Sequence, residues 1–242
     1  LDAAQYACTS TVGVSVVDCD LNTNNSVVET VSVTVTSTSE PGGESIVLTE
    51  TGPATANFQG TIGLSPINSP GVLQVTDADT VTAHYFDADN GQGGYYVEVT
   101  ASAAVDCQAP VISNVQVTGI GAGVATITFT TDEAANGTVR YGLSCGSLGS
   151  TAGESGYNTT HSISLSGLPS ATQIYFAVDA VDQSGNLATD NNGGSCYSFM
   201  TPTAPSLVYS WNMDTNPNWT ISGGQWAWGD PTGSSGDPNN GY

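Results

Sequence analysis

Residues 31–37 read VSVTVTS, an alternation of valine with serine or threonine. Side chains on an extended chain point to opposite faces with a period of two, so Val31, Val33 and Val35 share one face and the hydroxyls share the other, as in a half-buried strand. The same period recurs in TVGVSVV at 11–17 and GVATITFT at 123–130, each bounded by Gly, Pro, Asn or Asp. Helical spacing of apolar residues is absent. Runs of this kind are expected near 11–17, 27–37, 44–51, 56–64, 71–76, 79–86 and 94–105, then near 111–118, 123–130, 137–142, 147–152, 160–165, 173–182 and 196–201. About seven strands on each side of a DCQAP linker at 106–110 predict an all-β chain of tandem antiparallel β-sandwiches rather than one larger barrel.

The expected divisions are 1–107 and 108–203 for the two sandwiches, closed by TPTAP at 201–205, and 204–242 for a third, incomplete β segment. That last segment holds all four tryptophans, Trp211, Trp219, Trp226 and Trp228, and ends in DPTGSSGDPNNGY. Its two or three strand-like runs cannot close a β-domain, because two-stranded pieces are marginal in water. Either a longer chain is cut here, or strands supplied by a neighbouring molecule complete it, which is how strand addition builds fibres. Aromatic faces can also stack on sugars, so cell-surface glycans enter as a partner class, although such tryptophans more often form a domain core.

Among 242 residues, Arg140 is the one basic side chain against 22 acidic ones, a formal charge of −21. Nothing can neutralise phosphates, so nucleic-acid binding is excluded. One residue at most can form a salt bridge to a carboxylate, apart from the two histidines, and a hard-oxygen cation such as Ca²⁺ is the natural counter-charge. No stretch approaches the roughly 18 apolar residues of a membrane span. The chain begins at Leu1 without Met and reads as a processed or excised piece of something longer. Cys8, Cys19, Cys107, Cys145 and Cys196 form no CxxC pair or Cys/His zinc spacing, which favours disulfides in an oxidising, extracellular or cell-surface setting.

Calcium is the sharpest chemical expectation. Asp18 and Asp20 stand at alternate positions after the first predicted strand, and Asp87 and Asp89 after the sixth, so that carboxylates of both pairs could reach one ion at a sandwich pole. Neither run completes an EF-hand loop. The plainer reading is that these side chains cap turns through bonds to backbone. Asp77 and Asp79 are weaker candidates, and Asp182 in DQSGN is expected to shape a hairpin. Cys145 follows one strand of the second sandwich and Cys196 opens its last, so a bridge between them would pin a loop-rich edge. His84 and His161 lie in strands without GxSxG, HExxH or a nucleophile motif nearby, which argues against catalysis. Sequons stand at Asn24, Asn136, Asn158 and Asn218.

APVISNVQV (109–117), ATITFTTDEAANGTVRYG (125–142), HSISLSGLPSATQIYFAVDAVDQSGN (161–186) and CYSFMT (196–201) resemble a fibronectin type III domain of secreted bacterial proteins. Where that family usually places a corner tyrosine, six residues after Leu168, this chain has Ile174. Ile174, Phe176 and Val178 keep the core side of that strand. YAC (6–8), VVDCDLN (16–22), VETVSVTVTS (28–37), GESIVLTETG (43–52), FQGTI (58–62), DTVTAHYFDADNGQGG (79–94) and VDC (105–107) are similar to the Ig-like repeat of large secreted bacterial proteins. SWNMDTNPNWTISGGQWAWGDPTG (210–233) is similar to the opening of a jelly-roll domain. On residues alone Cys107 could pair with Cys8 or Cys19. The Ig-like resemblance chooses Cys8 with Cys107 and leaves Cys19 where the family usually has Ala between two Asp. Together the resemblances imply a non-catalytic structural or adhesive module of a secreted surface protein or filament, stapled by disulfides and stabilised by calcium, its partners being copies of itself or further domains of a parent chain. The alternative they imply is the accessory C-terminal region of a secreted peptidase.

Overall fold

The computed structural model describes residues 1–89 and 91–204, and every regular element among them is a strand. The expected jelly-roll-like segment, with its tryptophans and the sequon at Asn218, lies outside the described residues.

The first hydrogen-bonded sheet uses β1 (Gln5–Tyr6), β2 (Thr11–Val17), β3 (Thr30–Ser37), β4 (Glu44–Glu50), β5 (Asn57–Ser65), β6 (Val72–Gln74), β7 (Thr80–Asp89) and β8 (Tyr95–Val105). Its path is β1-β8-β7-β3-β4-β5-β2, with β6 beside β5. Two pairings are parallel, β1 with β8 and β5 with β6. Alternation does what period two requires: Val33 and Val35 of β3 turn inward with Val12 and Val14 of β2, Leu48 of β4 and Phe58, Ile62 and Leu64 of β5. Phe58, Leu48 and Leu73 are fully buried. Each such side chain contributes roughly 1.5–3 kcal/mol relative to exposure.

The second sheet uses β9 (Ile112–Thr118), β10 (Val124–Gly142), β11 (Ser150–Gly153), β12 (Asn158–Ser166), β13 (Gln173–Asp182), β14 (Leu187–Asp190) and β15 (Tyr197–Met200). Two expected strands, 123–130 and 137–142, are one 19-residue strand here. Its register slips between Thr130 and Ala135, and past that irregularity the chain pairs with β13 as well as β12. The intervening TTDEAAN contains no Gly or Pro, so nothing in it forces a chain break. β1 and β14, of 2 and 4 residues, fall below the length at which a periodic pattern is visible. Ile127, Phe129, Ile163, Leu165, Ile174, Phe176 and Val178 form the second core, with Ile174 at the site of the missing corner tyrosine.

Arg140, in β10, makes a two-pronged pair with Asp179 of β13, Nε to Oδ2 at 2.5 Å and Nη2 to Oδ1 at 2.9 Å. Burial works against the ionised Asp179, yet hydrogen bonds from Arg140 and Thr189 hold its carboxyl below the ordinary range. The chain's single cation is thereby committed within its own sheet.

Candidate metal centre

The strand ends at one pole of the first sheet gather part of the expected calcium set. Tyr85 of β7 donates its hydroxyl to Asp18. Burial, then Asp18, Asp87 and Asp20 in that order, push the Tyr85 hydroxyl well above its ordinary pKa. Only Asp18 is bonded to it, and Asp18, Asp20, Asp87 and Asp89 do not form a group of carboxylates within 4.8 Å of one another. The carboxylates are also engaged locally. Asp18 Oδ1 accepts Asp20 N–H at 2.8 Å, Asp87 Oδ1 accepts Asp89 N–H at 3.0 Å, and Asp89 Oδ1 accepts Gly91 N–H at 3.0 Å. The bonds at Asp18 and Asp89 cap turns, whereas Asp87 and Asp89 stand inside β7, paired with Val97 and Tyr95, and not past the strand's end as expected.

A tighter carboxylate group forms where the two sheets meet. Asp106 follows β8, Glu133 sits in the irregular middle of β10, and Asp182 ends β13; one oxygen of each lies within 4.8 Å of the others. Asp182 is almost wholly buried. It accepts Asn186 N–H at 2.9 Å on Oδ1 and Asn186 Nδ2 at 2.7 Å on Oδ2, so it shapes the expected hairpin as well. Asp106 is the hinge of the contact. Its carbonyl accepts Asn186 Nδ2 at 2.9 Å, its Oδ2 accepts Gln5 Nε2 at 3.3 Å and Ser184 Oγ at 3.4 Å, and its N–H donates to Tyr6 at 3.0 Å. The linker residue is thus bonded to both sandwiches.

Glu133 reports the field at this place. Burial first, then Asp106, Asp182, Asp132 and Asp77, raise its carboxyl above the ordinary value of 4.5. Three carboxylates therefore meet at the junction, with Asp132 and Asp77 adding to its negative field, while the chain's sole guanidinium is paired elsewhere. Asp132 accepts Val111 N–H at 2.7 Å and Asp77 accepts Cys107 N–H at 2.9 Å, which fixes both ends of the linker. A set of hard oxygens with no protein cation fits Ca²⁺, which takes carboxylate and carbonyl oxygens in flexible geometry. Asp106 and Glu133 escape a reading of the sequence because 76 positions separate Asp106 from Asp182. The available signal was an acidic linker and an acidic strand bend in a chain without lysine.

Cys8 is bridged to Cys107 and Cys145 to Cys196, while Cys19 is free and exposed. The first bridge joins the start of the first sheet to the linker beside Asp106. His84 lies between Thr36 Oγ1, at 3.0 Å from Nε2, and Glu98, at 2.7 Å from Nδ1. His161 is fully buried between Glu154 and Thr131, against the ring of Phe129. No serine or cysteine among the described residues is bonded to either imidazole.

Fold and junction define a class: an all-β, disulfide-stapled tandem of sandwiches with an acidic joint. No family model matches the chain, and no curated protein sequence matches it. Among solved structures, that of the FN1–FN3 domains of chicken CNTN1 is similar, with a TM-score of 0.45 and 12% identity over 83% of this chain and 66% of that one.

Proposed function

We propose that this chain is a non-catalytic extracellular structural module, part of a surface protein or filament, whose two sandwiches are held in fixed relation by Ca²⁺ at the Asp106, Glu133 and Asp182 junction. The observation that carries the reading is the convergence of these carboxylates at the one place where the sandwiches meet. Two disulfides and a near absence of trypsin-type cleavage sites, Arg140 alone, suit a load-bearing part outside the cell. Both histidines are taken up in cross-strand bonds, which supports a mechanical rather than a chemical role. Asp18, Asp20, Asp87 and Asp89 are proposed as a second, weaker calcium pole.

The test is differential scanning calorimetry in millimolar Ca²⁺ and in chelator. Calcium at a hundred times its dissociation constant is expected to stabilise the chain by about 2.7 kcal/mol. Glu133→Gln is expected to remove that increment without weakening the calcium-free chain. The sign follows from the raised carboxyl: in the metal-free protein Glu133 contributes stability that is present below pH 4.5 and fades as the pH climbs through its folded value. Calcium, by replacing the proton, is expected to reverse that slope. Equal melting temperatures in calcium and chelator would sink the proposal.

A further inference from the structure

The β7–β8 ribbon outruns the sheet that carries it. β3 pairs with β7 only between Val81 and His84, and β1 meets β8 only at Ala104 and Val105, while β7 and β8 stay paired with each other as far as Asp89 and Tyr95. Residues 85–89 and 95–99 therefore form a two-stranded arm. Such ribbons are marginal in water, yet this one shows aromatic rings to solvent instead of burying them. Phe86 is 47% exposed and Tyr96 74%, their rings stacked at 5.3 Å between centroids and 21° between planes, while Tyr95 is 77% exposed. Tyr96 holds a φ of 56°, the left-handed region that a bulky side chain rarely adopts. Strain of this kind points to a shape kept for something other than stability. Period two separates the arm's faces: Leu1 lines a groove with Tyr85, Asp87 and Val99 on the odd-numbered face, whereas Phe86, Tyr96 and Glu98 stand on the even-numbered one.

We infer that the Phe86, Tyr96 and Glu98 face of this arm docks an arginine-bearing segment of a partner protein. This goes beyond the structural-module reading above and does not rest on its cation. The first argument is chemical fit. A guanidinium is planar, stacks on an aromatic face and forks onto a carboxylate. Glu98 stands directly opposite Phe86 in the ladder, and its Oε1 meets His84 Nδ1 at 2.7 Å, which holds the carboxylate beside the ring pair. The second argument is charge. Residues 85–99 carry Asp87, Asp89 and Glu98 with no Lys or Arg, and Arg140, the chain's one guanidinium, is taken by Asp179. A cation for this face therefore has to come from another molecule. Charge also selects among occupants. A second copy brings the same formal charge of −21 and an anionic surface brings the same sign, so both are repelled, whereas a basic segment is drawn in. A neutral sugar stacks on rings but leaves the three carboxylates unused.

Fluorescence anisotropy tests this, with a short labelled peptide of alternating arginine and glycine titrated with the full-length chain in chelator. Phe86→Ser with Tyr96→Gly removes both rings, changes no charge and relieves the left-handed backbone. It is expected to weaken binding about tenfold with unchanged circular dichroism. Glu98→Gln is expected to weaken binding and to flatten its fall with added salt. Tyr95→Ser, on the arm's other face, is expected to change affinity by less than about twofold. A chain that ignores the peptide overturns the inference, and so does a loss from Tyr95→Ser equal to that from the ring pair. Binding that keeps its strength without the rings also overturns it, since net charge alone would then be the attraction. Binding of a neutral glucan oligosaccharide in place of the peptide, or ring-dependent self-association by light scattering, would hand the face to those occupants and sink the proposal. An unmoved melting temperature in calcium would remove the cation reading and leave this one standing.

Discussion

Replacing Cys8 and Cys107 together by serine is expected to lower the stability of the first sandwich by about 4.7 kcal/mol on the loop-entropy estimate for a separation of 99 residues. The matching change at Cys145 and Cys196, with a separation of 51, is expected to cost about 4.1 kcal/mol. The logarithm makes the two bridges nearly equal, so position decides the difference. Cys8 is part of the first core, and Cys107 N–H is held by Asp77 in the linker. Loss of the first bridge therefore frees the N-terminal segment and the joint together, whereas loss of the second frees only two loops, the one after Gly142 and the one between Asp190 and Tyr197. Urea unfolding, with a slope of roughly 1–3 kcal/mol per molar, should show the first-sandwich transition moving down by at least 1.5 M. A shift below about 0.5 M would mean that the β1 pairing and the core hold this end without the bridge.

Most of the architecture was legible because period two survives wherever one face of a strand is buried. TVGVSVV at 11–17 and QIYFAVDAVD at 173–182 are strands with the bounds the pattern predicts. The misreading of β10 has the same physical root: a residue run rich in Thr and Ala keeps strand geometry through an irregularity, and only a partner strand shows where the register slips. Cys145 with Cys196 was readable from position, and Cys8 with Cys107 only from resemblance. At the junction the linker and the hairpin role of Asp182 were legible, but the convergence of the three carboxylates was not. Asp106 lies in the linker, Glu133 within β10 and Asp182 at the end of β13, and long-range pairing alone makes them neighbours.

That pairing also connects the joint to the interior of the second sandwich. Thr131 donates its hydroxyl to the Glu133 carbonyl at 2.7 Å, and the same oxygen lies 3.0 Å from His161 Nε2. His161 Nδ1 meets the Glu154 carboxylate, so a polar line runs from Glu154, just past β11, through a buried ring to the backbone of the acidic bend. A β10 irregularity beside a ligand-type residue is what such a bond would hold in place.

His161→Ala is accordingly expected to destabilise the second sandwich by about 2–5 kcal/mol, the range for emptying a fully buried side-chain site. The ring is fully buried, stacked on Phe129 at 4.3 Å between centroids, and its removal leaves both a void and a carboxylate without its partner. The sequence makes room for the pair at Gly137, where an added Cβ would stand 2.9 Å from Glu154 Oε1, His161 Nδ1 and Phe129 Cζ alike. Gly137→Ala should therefore reproduce part of the loss without replacing either partner of the pair. If the cost lies in the orphaned carboxylate, which is partly exposed, His161→Leu combined with Glu154→Met should recover much of the stability that His161→Leu loses, since replacing both members of such a pair by apolar groups is often neutral. A double-mutant cycle by urea denaturation measures this, with a coupling of at least 1.5 kcal/mol expected. Additive losses would place the whole effect in packing against Phe129, and would leave Glu154 as a surface residue that merely lies nearby.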